Sequence, residues 1–321
     1  MDNITISIII PLYNAESYVN ECLSSLKEQT FTNWEAIIID DGSKDKSLEV
    51  CSEYIAGDQR FKIISKQNEG VSITRNKGIQ LAKGDFIFFL DADDYLLDKN
   101  CFEVLTNLAQ INQLDFIRFE YKAIDNHNNY LFNNRNKHIR KRFYHKIVTP
   151  VDYCNKIAYN EFFLCFSFFK SSILRENNIQ FINGCRMRED ADFIIRYLYY
   201  CKKIMYIPNE YYAYRKHNNA ATSINLKNYE SDLKLVFDSL NTFKNKCSNI
   251  EYKKYIYKFL STLAAEQRCS VHTKYYKQIV NNFPIKSTRY KLSKYRIAEK
   301  IYLSLLHLLR KINICINMIL K

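Results

Sequence analysis

Residues 86 to 94 read FIFFLDADD: a run of bulky apolar residues, then Asp91, Asp93 and Asp94 packed into four positions. Carboxylates that close repel one another and stay ionised together only beside something positive. At the mouth of a strand they suit a divalent cation such as Mg2+ or Mn2+, which prefers oxygen ligands and lets substrate phosphates complete its shell. The local reading is a helix start, where Asp caps well and favours the first turn.

Three further clusters carry chemistry. DDGS (40 to 43) can be a turn and cap for the next helix, or its carboxylate can accept the imide N–H of uracil. In NEGVSITRN (68 to 76), Gly70 precedes a helix start whose free N–H groups attract phosphate, and Arg75 lies a turn inside, its fork suited to a diphosphate. Neither a dinucleotide fingerprint nor a P-loop occurs. In RMREDADF (186 to 193), Glu189, Asp190 and Asp192 favour a helix N-terminus, or a carboxylate there acts as a general base. In YAYRKH (212 to 217), Arg215 and His217 alternate along an expected strand and so share a face.

The elements that must position these residues alternate. Ile6 to Ile10 is an apolar run that Pro11 is expected to stop, followed by Tyr18, Cys22, Leu23 and Leu26 at helical spacing. AIIID (36 to 40) and FIFFL (86 to 90) read as buried strands, with FKIIS (61 to 65) as a further strand between them. Between them lie a helix near 45 to 56 and one over 72 to 84 that ends at a glycine C-cap. That alternation implies βαβ units in an α/β fold with a mainly parallel sheet, whose ligands sit beyond the strands' carboxyl ends. PLYN, DDGS and DADD should therefore converge on one edge. Residues 120 to 147 are polar and aperiodic, and read as a mobile insertion or lid. The organisation expected is a catalytic domain over 1–225, divided near 118, and a helical basic region over 226–321.

Bulk composition narrows the class. The net charge of +13 comes entirely from residues 227 to 321, which hold 19 Lys and Arg against 6 Asp and Glu. The charge-balanced remainder argues against a nucleic-acid binder, whose basic tail would be its only support. Ten cysteines without a C-x-x-C pair exclude the usual zinc spacings and point to a reduced compartment. No signal peptide and no run long enough to span a membrane is visible, so a cytosolic protein is expected. From Arg296 to Lys321, apolar residues at 297, 301, 305, 308, 312, 315 or 316 and 319 give one helical face amid basic residues. Such a helix packs on its own domain or another subunit, or lies on anionic lipid.

In this order and at these distances, the segments over about residues 5 to 95 resemble a family 2 glycosyltransferase of the GT-A fold, and more loosely those from 160 to 223. The resemblance implies that Pro11, Tyr13 and Asn14 lie by the nucleoside, that Asp41 reads uracil, and that Asn68, Gly70, Arg75 and Ala92 line the nucleotide site. It makes Asp93 the direct metal ligand, with Asp91 facing the ribose and metal shell, and Mn2+ or Mg2+ the cofactor. Asp190 becomes the base and Glu189 its neighbour; Arg215 and His217 contact the diphosphate, His217 also reaching the metal. Implied partners are a UDP-sugar donor, a glycan or lipid-linked oligosaccharide acceptor, and an anionic membrane surface met through 226–321 on the cytoplasmic side, with no nucleic acid. Oligomeric state stays open. The Q-x-x-R-W element of processive synthases is missing, Trp34 being the only tryptophan, so single-sugar addition is expected. A sugar-nucleotide nucleotidyltransferase is the nearest rival, but the glycine-rich loop it needs after its first strand is here PLYNAES. A phosphatase-like DxD nucleophile would follow the first strand, not the fourth.

Overall fold

The computed structural model describes residues 4–134, 136–158, 161–217 and 229–266. The first half runs β1 (Ile6–Leu12), α1 (Val19–Lys27), β2 (Trp34–Asp40), α2 (Ser47–Tyr54), β3 (Phe61–Ser65), α3 (Val71–Leu81), β4 (Phe86–Phe89), β5 (Tyr95–Leu96) and α4 (Cys101–Asn112). Then come β6 (Phe116–Ile124), β7 (Tyr130–Asn133), α5 (Lys137–Arg140), β8 (Ile147–Val148), α6 (Pro150–Tyr153), β9 (Ser167–Lys170) and α7 (Ser171–Glu176). The described chain closes with α8 (Glu189–Tyr200), β10 (Ile204–Arg215), α9 (Tyr229–Lys246) and α10 (Ile250–Glu266).

The strands form one sheet in the order β3-β2-β1-β4-β9-β6-β10-β5, with β7 added to β6 and β8 to β10. β3, β2, β1 and β4 pair in parallel, as do β6 and β10. β9 lies antiparallel between β4 and β6, so those six strands point one way and their carboxyl ends share an edge. Apolar runs fit this position because a central strand is covered on both faces; Ile8, Ile9 and Ile10 are wholly buried.

Pro11 does not stop β1. Pairing with β4 ends at Ile9 and Phe89, and beyond it β1 continues to Leu12 along β2 alone. The missing N–H falls on the side where the ladder has already ended, so no bond is lost there. The α3 helix ends at Leu81 rather than at a glycine cap. Gly84 serves close approach instead: a Cβ there would lie 2.5 Å from Ser7 N. Similarly, α3 packs onto β1 at Gly78, where a Cβ would meet Ile9 Cγ2 at 2.3 Å.

The expected lid over 120 to 147 resolves differently. Residues 120 to 124 complete β6, and β7 folds back on them as a hairpin whose turn is held by Asp125, which accepts from His127 N and Asn129 N (2.8 and 2.9 Å). Polar turn residues masked an ordered structure, because Asn and Asp bond their own backbone there. Below the site, Phe89 meets Phe169, Phe181 and Phe193 edge-on at 5.6 to 6.0 Å, tying β4 to β9 and α8. Those rings fix the start of α8 beside the end of β4.

Two compact units divide after Tyr252, not near 225. The first includes α9, whose Phe243 packs on Tyr199 of α8 at 5.5 Å. Of the second, only 253–266 is described, as the rest of α10; the amphipathic stretch of 296–321 lies outside the described residues. No helix of the described residues is long and apolar enough to cross a membrane.

Candidate active site

The ends of β1 and β2 are stitched together by polar contacts. Asn14 Oδ1 accepts from Lys44 N (2.8 Å), Ala15 N donates to Ser47 Oγ (2.7 Å), and Asp40 accepts from Ser43 N and Ser65 Oγ (3.0 and 2.7 Å). Asp40 is thus a turn former, and Asn14 at φ 48° holds two loops together rather than standing free. Tyr13 is half exposed above them. Asp41, buried, accepts from Glu69 N and Gly70 N (both 2.9 Å) and from the Lys66 ammonium. The Gly70 N–H expected to be free for phosphate is therefore occupied: the acid at the tip of β2 anchors the entry to α3. Gly70 takes φ 93°, which allows that sharp entry. Asn68 is exposed nearby.

At the end of β4 the three carboxylates separate by role. Asp94 is buried, accepting from Tyr212 Oη (2.9 Å) and Arg215 N (2.7 Å), which fastens the turn to β10. Burial and the neighbouring Asp93 and Asp91 hold its carboxyl above the usual range. Ala92 is buried between. Asp91 Oδ1 accepts from Arg75 Nη2 at 3.1 Å and Oδ2 from Cys165 Sγ at 3.2 Å. Asp93 Oδ2 meets His217 Nε2 at 2.9 Å.

Arg75 is the centre of the arrangement. Besides Asp91, its Nη1 reaches Glu189 Oε1 and Asp190 Oδ1, both at 3.1 Å, so one buried guanidinium joins the end of β4 to the start of α8. Burial opposes its charge, and Asp91, Asp190 and Glu189 outweigh that opposition. The Glu189 carboxyl is pushed up to about 8 by burial and by Asp190, with Arg75 acting the other way. Asp190 is raised by burial, against the pull of Arg75, and its Oδ2 accepts from Leu164 N at 3.4 Å. Its side chain keeps 26% exposure, enough to meet a substrate. Asp192 turns away, pairing with Arg196 within α8.

Arg215 does not stand open for a diphosphate. It is 2% exposed, with Nε on Asp93 O (3.0 Å), Nη1 on Asn128 Oδ1 (2.9 Å) and Nη2 on Glu21. The guanidinium clamps α1, the β6–β7 turn and the DADD turn together. His217 lies two residues past the end of β10 and reaches Asp93 from there.

Among the described residues, no group of three or more His, Cys, Asp or Glu side chains is placed to hold a metal. The donor set that exists is Asp93 with His217, one carboxylate (31% exposed) and one imidazole. That fits a Mn2+- or Mg2+-type ion that draws the rest of its shell from water and substrate phosphates. Residues without a role in the sequence reading also stand here: Tyr212, Cys165, Leu164, Glu21 and Asn128. Of these, Tyr212 lies inside the YAYRKH motif.

A mainly parallel sheet with acidic residues of β2, β4 and α8 gathered at one edge is the layout of a GT-A glycosyltransferase. Residues 7–172 match glycosyl transferase family 2, and the chain belongs to that family. It is 29% identical to the uncharacterized glycosyltransferase EpsJ of Bacillus subtilis, over 69% of this chain and 64% of that one. It is 31% identical to the poly(ribitol-phosphate) beta-glucosyltransferase of Bacillus spizizenii, over 62% of this chain and 30% of that one. In structure it is similar to residues 1–349 of S. aureus TarS in complex with UDP-GlcNAc, with a TM-score of 0.69, 20% identity, and coverage of 83% of this chain and 73% of that one. The TarS likeness is one of fold, and the chain spans under two thirds of the length of EpsJ.

Proposed function

We propose that this chain moves a single sugar from a UDP-sugar to a hydroxyl of a glycan acceptor, with inversion, in the synthesis of a cell-surface polysaccharide. The observation that carries it is the Arg75 fork, which holds Asp91 on the donor side and Asp190 on the acceptor side within reach of one group. Relatives support the substrate class: TarS is known with UDP-GlcNAc bound, and the Bacillus spizizenii relative is a glucosyltransferase acting on poly(ribitol-phosphate). UDP-hexoses and UDP-N-acetylhexosamines both remain donors to be tested. The acceptor is taken to be lipid-linked, which would bring the protein to the cytoplasmic face of the membrane.

In the reaction, the acceptor oxygen forms a bond to the anomeric carbon as the bond to the diphosphate breaks and its electron pair leaves on phosphate. Asp190 takes the hydroxyl proton. Burial strengthens it as a base, and Arg75 keeps enough of it ionised to act. Asp41, at the edge of the nucleotide site, is the acid we assign to the uracil imide, with Tyr13 and Pro11 beneath the base. Asp93 and His217 would hold a divalent cation, which when bound offsets charge developing on the leaving diphosphate.

The test is to incubate the purified chain with a panel of sugar nucleotides and Mn2+ and measure what is released. UDP supports transfer; pyrophosphate released from UTP and a sugar 1-phosphate, supplied in a parallel reaction, would point to a nucleotidyltransferase. Asp190→Asn should keep donor binding and lose about 10²- to 10⁴-fold in turnover, whereas Asp93→Asn should weaken donor binding only when the metal is present. Normal transfer by the Asp190 variant would remove that residue from its role.

A further inference from the structure

Between Asp125 and Asp152 the chain has no acidic residue, yet Arg135, Lys137, Arg140, Lys141, Arg142 and Lys146 all fall in the interval. Two of these cations are used inside the fold. Arg140 is 1% exposed and binds Glu120 and Glu161 (3.1 and 2.5 Å), and Lys137 Nζ donates to Glu210 (2.6 Å). On a helical turn that aims residue 140 inward, positions 138, 139, 141 and 142 occupy the outward half. His138, Ile139, Lys141 and Arg142 are indeed all exposed. The chain then doubles back, Tyr144 Oη donating to Lys137 O at 3.2 Å, and presents exposed Lys146 and Ile147 beside them. Lys141, Arg142 and Lys146 have no ion-pair partner among the described residues. Ile139 and Ile147 are 38% and 47% exposed.

We propose that the face formed by Ile139, Lys141, Arg142, Lys146 and Ile147 docks on an anionic lipid surface. Charge complementarity selects an anionic partner, and the two isoleucines select among anions. A soluble polyanion would engage the cations and leave both isoleucines in water; a bilayer takes the cations at its headgroups and the apolar side chains at the acyl boundary. The face is distinct from residues 226–321 and from the active site. Ile147 pairs with Met205 at the start of β10, and Arg215, beside Asp93, lies at that strand's other end, about 30 Å away along an extended chain. Docking here is independent of which sugar is moved or whether transfer occurs.

The experiment is flotation of the full-length protein with phosphatidylcholine vesicles, with and without phosphatidylglycerol. Binding is expected only to the anionic vesicles and should weaken as salt rises. The combined Lys141→Glu, Arg142→Glu and Lys146→Glu variant should partition on the order of 100-fold more weakly, with melting temperature and UDP-sugar hydrolysis unchanged. A folded reversal variant that floats like the wild type overturns the proposal. The Ile139→Ser, Ile147→Ser variant separates the two kinds of anion: it should lose vesicle binding several-fold and keep any binding to soluble polyphosphate. If it floats like the wild type, or if the wild type binds polyphosphate and ignores anionic vesicles, the lipid assignment fails.

Discussion

Glu189, Asp190 and Asp91 share one guanidinium, and three carboxylates cannot all stay ionised on a single positive charge in a buried site. Glu189 is the member that burial drives furthest, to about 8, so near neutral pH it holds a proton and leaves Arg75 to the other two. Its folded pKa lies above the unfolded value. Its contribution to stability is therefore complete below about pH 4.5 and is lost as pH rises through about 8. Glu189→Gln, which cannot ionise, should flatten the fall in melting temperature across that window; an unchanged slope would show that Glu189 titrates normally. Asp91, Asp93 and Asp190 were legible as residue types because carboxylates crowded at strand and helix ends demand an explanation. Their shared partner was not, since Arg75 is 115 positions from Asp190. Nor could any pattern reveal that Leu164 N and Cys165 Sγ hold the two acids, because a backbone N–H and a thiol carry no positional signature. The clamp that Arg215 forms was hidden for the same reason: its partners come from three distant segments.

Elements were read more securely than their ends. Strands β2 and β4 follow the apolar runs because a strand covered on both faces has no polar side to break the pattern, whereas β3, at the sheet edge, buries only Phe61. Pro11 and Gly84 misled, since proline and glycine mark where a ladder ends or backbones meet as readily as where an element stops. The contact of α3 with β1 makes this measurable. In Gly78→Ala the added methyl gains helix propensity but meets Ile9 near its backbone, a position that cannot swing aside. Overpacking should win by about 1 to 3 kcal/mol, seen as a melting temperature lower by a few degrees. A stabilised variant would mean that α3 and β1 can separate freely.

For the whole molecule, the first unit carries the sheet and the acidic edge, and the basic excess of the sequence sits beyond residue 226. Net charge alone hid the cationic face of 137–147, because acids elsewhere in the first unit balance it. If the edge binds its donor with a divalent cation, a saturating UDP-sugar with Mn2+ should raise the melting temperature. At a hundredfold excess over Kd the gain is about 2.7 kcal/mol, or roughly 5 to 10 °C for a unit of this size. Chelation with EDTA should erase the shift, and a shift that survives EDTA would show metal-independent binding. The same acid that tips β2, Asp41, also carries the entry to α3 on its two oxygens. If Asp41 also reads the nucleobase, descendants of this chain are not free to swap that acid for a new base preference; the helix would need a replacement anchor in the same evolutionary step, so donor choice should drift through neighbouring loops first.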